Sequence, residues 1–195
     1  GCSNSDTNAI SVYPLTPVNL TPQDSVCINA APVTLTGGTP SGGIFSGPGV
    51  SSGLFDPAIT GAGTFDIIYT YTDGNSCTNS DTNTITVKPL PGIPGSILGS
   101  DTTCQGSTGL PYSISPVTGA VLYNWQIDPP ASATISGNTT DVTISFSPTF
   151  TGIALLTVTG INECGEGPSS APFSIYVNPG PEVSFSKCFD TVTYT

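Results

Sequence analysis

The chain has 195 residues, with thirteen Asp and Glu against two lysines (Lys88 and Lys187), no His and a net charge of −11. Phosphate binding needs clustered Lys and Arg, and anionic membranes attract polybasic segments, so this balance argues against nucleic acid and lipid surfaces as partners. No segment approaches the 18 or more apolar residues of a membrane span, so membrane insertion is not expected.

Polarity comes mainly from Ser, Thr and Asn, since only 8% of residues are charged, while 23 Gly and 19 Pro interrupt the chain. The longest uninterrupted stretches are rich in Thr, Ile, Val and Tyr, which suit a pleated surface. Apolar spacing of 3.6 is absent, so the sequence predicts an all-β fold without helix.

Residues 2–15 read CSNSDTNAISVYPL and residues 77–90 read CTNSDTNTITVKPL; only four aligned positions differ (2/77 to 15/90). The two copies are offset by 77 − 2 = 75 residues, a period that exceeds a solenoid unit but suits a small β-sandwich. Residues 1–15 are therefore expected to be the last strand of a preceding immunoglobulin-like repeat. The start at Gly1-Cys2, without Met or signal peptide, reads as a piece of something longer.

Residues 16–89 are expected to form a first complete sandwich. Its glycine-rich run GGTPSGGIFSGPGVSSGLF (37–55) is not a phosphate loop, because no Lys or helix follows. It reads as two short strands, near Ile44-Phe45 and Leu54-Phe55. Over the next strand, Phe65, Ile67, Tyr69 and Tyr71 share one face by alternation, and Ile85 and Val87 continue the core on the last strand.

Residues 90–179 are expected to form a second sandwich. Its inward sets are Val121, Tyr123, Trp125 and Ile127, then Val142, Ile144 and Phe146, then Phe173, Ile175 and Val177. Trp125 could serve as a sugar-stacking platform, but its place between Tyr123 and Ile127 assigns it to the core. Strands ending Val-x-Pro recur at 12–14, 87–89 and 177–179; Pro cannot donate to a ladder and so marks a strand end and a stiff linker. Residues 180–195 are then expected to start a following domain. The pattern as a whole predicts tandem, disulfide-stapled immunoglobulin-like sandwiches, beads on a string.

Six cysteines are present. Each sandwich has one near its start, Cys27 or Cys104, and one after its longest strand, Cys77 or Cys164. The expected bridges are Cys27–Cys77 and Cys104–Cys164, with Cys2 and Cys188 paired to residues outside the chain. Six free cytosolic thiols are the alternative; zinc is disfavoured because no C-x-x-C or His is present. Bridges place the protein in an oxidising, extracellular compartment.

No catalytic constellation is apparent. Without His, Ser-His and Cys-His pairs cannot form within the chain, and Asp and Glu fall mostly in turns or on solvent faces. Asp73-Gly74-Asn75 and Glu163/Glu166 offer clustered oxygens suited to Ca²⁺, though turn-forming roles are commoner for such residues; no other cofactor is implied.

The segments TLTGGTPSGGIFSGPGV and FDPAITGAGTFDIIYTYTDGNSC resemble the Ig-like repeats of giant surface proteins of Bacteroidetes. LYNWQIDPPASATISGNTTDVTISFSPTFTGIALLTVTGINECG resembles the PKD-like repeats that accompany them. The resemblance implies a structural shaft of a gliding-motility adhesin, exported by the type IX secretion system to the bacterial outer surface. Its partners would be neighbouring repeats and, at a distal region, surface polysaccharide or another surface ligand. It also implies O-glycosylation at Asp-Ser/Thr motifs, which gives Ser25, Thr102 and Thr191 as candidates. A spacer or carbohydrate-binding module of a secreted polysaccharide-degrading enzyme is the alternative, and direct adhesion through loops 37–53 or 128–141 is a third reading.

Overall fold

The protein is described here by a computed structural model over residues 1–180, in two compact units that meet in sequence between Leu90 and Pro91. Both are all-β and immunoglobulin-like. Residues 1–18 have no regular structure, and Ile10 and Val12 are each 89% exposed. The strand expected over 2–15 is therefore unpaired among the described residues.

The first unit contains β1 (Asn19–Leu20), β2 (Val26–Cys27), β3 (Val33–Thr34), β4 (Gly38–Thr39), β5 (Ile44–Ser46), β6 (Val50–Ser51), β7 (Leu54–Phe55), β8 (Gly63–Thr72) and β9 (Thr78–Lys88). One sheet has the order β2-β9-β8-β5; β3-β7-β6 and the β1-β4 pair make up the rest. The core joins Leu20, Leu35 and Phe55 to Ile67, Tyr69, Ile85 and Val87, all buried. The alternation read from the sequence thus identifies the inner face of β8 and β9, with Phe65 and Tyr71 at its half-buried margin. On the outer face, hydroxyl pairs Thr64–Thr86 (3.3 Å) and Thr72–Thr78 (3.1 Å) line the hairpin.

The expectation of no helix needs correction by one turn, α1 (Pro57–Thr60). Asp56 caps it by accepting the Ala58 N–H at 3.0 Å, and Pro57 supplies the fixed φ favoured at a first helical position.

The second unit contains β10 (Thr102–Cys104), β11 (Leu110–Ser113), β12 (Leu122–Asp128), β13 (Ala133–Ser136), β14 (Asp141–Phe146), β15 (Gly152–Asn162), β16 (Gly165–Ser169) and β17 (Phe173–Asn178). One sheet runs β10-β17-β15-β12, with β16 also paired to β15, and the other runs β11-β14-β13. Between them lie Tyr112, Trp125, Ile144, Phe146, Leu156 and Ile175, among other buried residues. Val121 corrects the sequence reading: it shares the phase of Tyr123 but precedes β12 and is 73% exposed.

The large aromatics of this core keep their polar tips bonded, as buried Tyr and Trp require. Trp125 Nε1 donates to the Thr139 carbonyl at 2.9 Å, Tyr112 Oη donates to the Ser100 carbonyl at 2.8 Å, and Tyr123 Oη accepts the Val117 N–H at 2.9 Å.

One device is common to both units. A short early strand lies parallel to the last strand: β2 beside β9, with Cys27 opposite Lys88, and β10 beside β17, with Cys104 opposite Asn178.

Candidate functional site

The glycine-rich run is shaped by an aromatic ring. Tyr69 Oη donates to the Pro40 carbonyl at 2.6 Å and accepts the Gly43 N–H at 2.7 Å. A Cβ on Gly38 would lie 2.5 Å from the Tyr69 ring, and one on Gly43 would lie 2.5 Å from both the Thr70 carbonyl oxygen and the ring. Glycine is required because backbone and phenol pass within contact distance. The loop is thereby fastened to β8.

The repeated segment has a defined task in its second copy. Along β9, Asn79, Asp81 and Asn83 point inward, in phase with buried Ile85 and Val87. Asn79 Nδ2 donates to the Thr16 carbonyl at 2.9 Å, Asp81 Oδ2 accepts the Leu20 N–H at 2.8 Å, and Asn83 Nδ2 donates to the Leu20 carbonyl at 3.1 Å. Three side chains thus satisfy backbone groups of the entering segment that have no ladder partner there. Asn4, Asp6, Asn8, Ile10 and Val12 occupy the matching positions of the first copy.

The cysteines depart from expectation. Cys27 and Cys164 are disulfide-bonded, whereas Cys77 and Cys104 carry free thiols; Cys2, expected to pair with a residue outside the chain, is unpaired within it. The expected bridges Cys27–Cys77 and Cys104–Cys164 are not formed, and the strand registers give the reason. Cys27 stands opposite Lys88 at one end of β9, while Cys77 precedes Thr78 at the other, in the hairpin closed by Thr72↔Thr78. The ten residues of β8 span the interval; at about 3.3 Å per residue that is about 30 Å, against a Cα separation of at most about 7 Å for a disulfide. In the second unit Cys104 lies beside Asn178 near the Gly152 end of β15, and Cys164 lies beyond Asn162 at its far end. The eleven residues of β15 keep them apart. Cys188 lies outside the described residues, as does Thr191.

The remaining glycosylation candidates are both exposed. Ser25 precedes β2, and Thr102 begins β10, with its hydroxyl donating to Asp101 at 3.2 Å. Each sits two residues before a cysteine, Ser25 immediately ahead of the edge strand β2 and Thr102 at the start of the edge strand β10, so the two positions correspond.

The acidic groups suggested for Ca²⁺ have other bonds. Asp73 Oδ1 accepts the N–H groups of Asn75 and Cys77, both at 2.9 Å, and Oδ2 accepts the Thr16 hydroxyl at 3.2 Å. The Cys77 N–H is the main reason its carboxyl is held below the usual aspartate range; desolvation opposes it, and Asn75 and Thr16 add smaller lowering contributions. Glu166 accepts from Asn124 at 3.0 Å. Among the described residues no three His, Cys, Asp or Glu cluster as metal ligands.

An open groove of about 390 Å³ crosses β11 and β14, lined by Leu98, Tyr112, Ser136, Asp141 and Val142 among others. Tyr112 is 1% exposed there, so its ring presents no stacking face. Burial, helped by the charge of Asp101, raises the pKa of its phenol. Trp125 is 7% exposed, and the exposed aromatics among the described residues are Tyr13 and Tyr176. Among the described residues no aromatic strip is formed.

Residues 89–175 match the PKD-like domain family. No curated protein matches the chain. Solved structures with similar folds include a Bacteroides ovatus mixed-linkage glucan utilization locus protein, SGBP-B, in complex with a mixed-linkage heptasaccharide (14% identity, 82% of this chain, 44% of that one, TM-score 0.27). A SusE-like surface located polysaccharide binding protein from the Bacteroides thetaiotaomicron heparin utilisation locus is similar at 12% identity (80% of this chain, 32% of that one, TM-score 0.30). Murine CEACAM1b is similar at 18% (60% of this chain, 58% of that one, TM-score 0.34). The chain spans less than two thirds of each of these structures. Its second sandwich is thus similar to PKD-like domains, from the end of β9 to the middle of β17.

Proposed function

We propose that this chain is a structural stretch of an extracellular, cell-surface filament built from tandem sandwiches, rather than an enzyme. The observation that carries this reading is the second copy of the β9 sequence. Residues 2–15 hold the same inward row, Asn4, Asp6, Asn8, Ile10 and Val12, that in β9 binds an entering segment and buries its apolar end. A segment with that row belongs to another sandwich of the same kind, which makes the chain part of an array.

Such an array carries a distal binding region away from the cell, and the bacterial-adhesin resemblance supplies its setting: a gliding or attachment filament exported by the type IX route. Ser25 and Thr102, exposed at equivalent edges, are its O-glycan attachment points, with Thr191 as a third. Surface polysaccharide would be engaged beyond these two domains, because their aromatics are spent on cores.

Immuno-electron microscopy of intact producing cells, with antibody against residues 16–179, tests the proposal. Label along filaments projecting from the surface is expected. Label confined to a compact secreted enzyme would overturn it and favour the spacer or carbohydrate-binding reading.

A further inference from the structure

The two sandwiches place their cysteines at matching positions, and each position is bonded in one sandwich and free in the other. The position beside the last strand is bonded at Cys27 and free at Cys104; the position in the long hairpin is free at Cys77 and bonded at Cys164. Both positions therefore accept a disulfide in this architecture. Neither finds its partner within its own sandwich, because the full length of β8 or β15 separates the two.

The positions also differ in where they sit along the chain path. The hairpin cysteines lie at the end where the chain enters: Thr16 bonds Asp73 and Asn79 beside Cys77, and Pro91 packs against Gly160 and Gly167 beside Cys164. The strand cysteines lie at the end where the chain leaves, beside Lys88 and Asn178. In a tandem chain an exit end is followed by the next entry end. A strand cysteine and a hairpin cysteine are complementary across such a boundary.

We infer that Cys77 and Cys104 are staples to neighbouring domains: Cys104 bonds the hairpin cysteine of a following sandwich, and Cys77 bonds the strand cysteine of a preceding one. Each bridge joins two thiols into one S–S bond with loss of two protons and two electrons. The electrons reduce the disulfide of a thiol–disulfide oxidoreductase to a dithiol, through a mixed disulfide. Bridges at boundaries limit bending between domains, which bridges inside a sandwich cannot do.

The inference rests on the extracellular, tandem reading, and one experiment separates the two. The full-length protein, purified from its producing cells, is alkylated without reduction under denaturing conditions. It is then cleaved before aspartate and after glutamate and analysed by mass spectrometry before and after reduction. Cleavage before Asp24, Asp73 and Asp101 puts Cys27, Cys77 and Cys104 in separate peptides, and cleavage after Glu163 and Glu182 separates Cys164 from Cys188. The peptides holding Cys77 and Cys104 should appear only as cross-links to cysteine peptides from outside their own sandwich, and be released on reduction. Alkylated Cys77 and Cys104 beside cross-linked Cys27 and Cys164 would overturn the inference alone, as would a Cys27–Cys77 or Cys104–Cys164 cross-link. Alkylation of all of them would overturn the extracellular reading with it.

Discussion

The Asp81 carboxylate on β9 accepts the backbone N–H of Leu20 at 2.8 Å, across 61 residues of sequence. Leu20 is 2% exposed, so without this acceptor its amide would be buried and unpaired. D81A should therefore destabilise the first sandwich by about 1–3 kcal/mol, the cost of a buried donor left without partner. D81N keeps an acceptor oxygen but loses the charge assistance, and should cost less. Denaturant unfolding followed by far-UV circular dichroism reads the loss. Trp125, the single tryptophan, lies in the other unit, so its fluorescence transition should stay where it was; a shift there would show that the residue acts otherwise.

Tyr69 and Gly43 make a second, local dependence. Y69F removes both bonds of the phenol, to Pro40 and Gly43, and should cost about 1–3 kcal/mol. G43A forces a methyl to within 2.5 Å of the Thr70 carbonyl oxygen and of the same ring, and should cost a similar amount through overpacking. Because both changes disturb one contact, the double variant should lose less than their sum. Additive losses in urea titrations would show that ring and loop are independent.

These two dependences mark what the sequence could and could not disclose. Alternation alone located the buried faces, Ile67 with Tyr69, Ile85 with Val87, and Tyr123 with Trp125, because a strand in a sandwich has one wet side. The polar residues Asn79, Asp81 and Asn83 stand in the same phase, and their identity with Asn4, Asp6 and Asn8 was visible. Their role was not, since it depends on a backbone 61 to 63 residues away that offers no side-chain signal. Asp56-Pro57, a cap followed by a first-turn proline, announces the short α1, whose four residues are too few to carry a helical period. The cysteine pairing failed for a different reason. Position in sequence places Cys27 early and Cys77 late in the domain, but only the parallel register of β2 on β9 shows that they occupy opposite ends.

The turn at Asp73 gives a pH dependence. Its carboxyl is held below the ordinary range chiefly by the Cys77 N–H, so the folded pKa lies below the unfolded one. The turn is therefore supported fully above the ordinary aspartate pKa of about 3.9, and the support is lost as pH falls through the depressed folded value. Hydrogen exchange at Cys77 and Asn75 should accelerate across that acid window, after allowance for the intrinsic rate. D73N retains an acceptor at the same place but cannot titrate, so its exchange should be insensitive there. An unchanged acid dependence in D73N would assign the effect to another carboxylate.

Trp125 separates the structural reading from the sugar-binding one. Its ring is almost wholly enclosed and its Nε1 donates to the Thr139 carbonyl at 2.9 Å, which ties β12 to the turn before β14. W125F removes that bond and part of the ring volume, and should destabilise the second sandwich by about 2 kcal/mol. The readout is circular dichroism, because the fluorophore is lost with the residue. A stacking platform would behave in the opposite way: its ring would stand in solvent, its replacement would leave unfolding unchanged, and retention on an immobilised polysaccharide would fall. Phe keeps an aromatic face at the site, so W125A serves as the harsher variant, with an expected loss of about 3–5 kcal/mol. If W125A unfolded at the same denaturant concentration as the parent, Trp125 would not be a core residue and the carbohydrate-module reading would gain the support that its burial now denies.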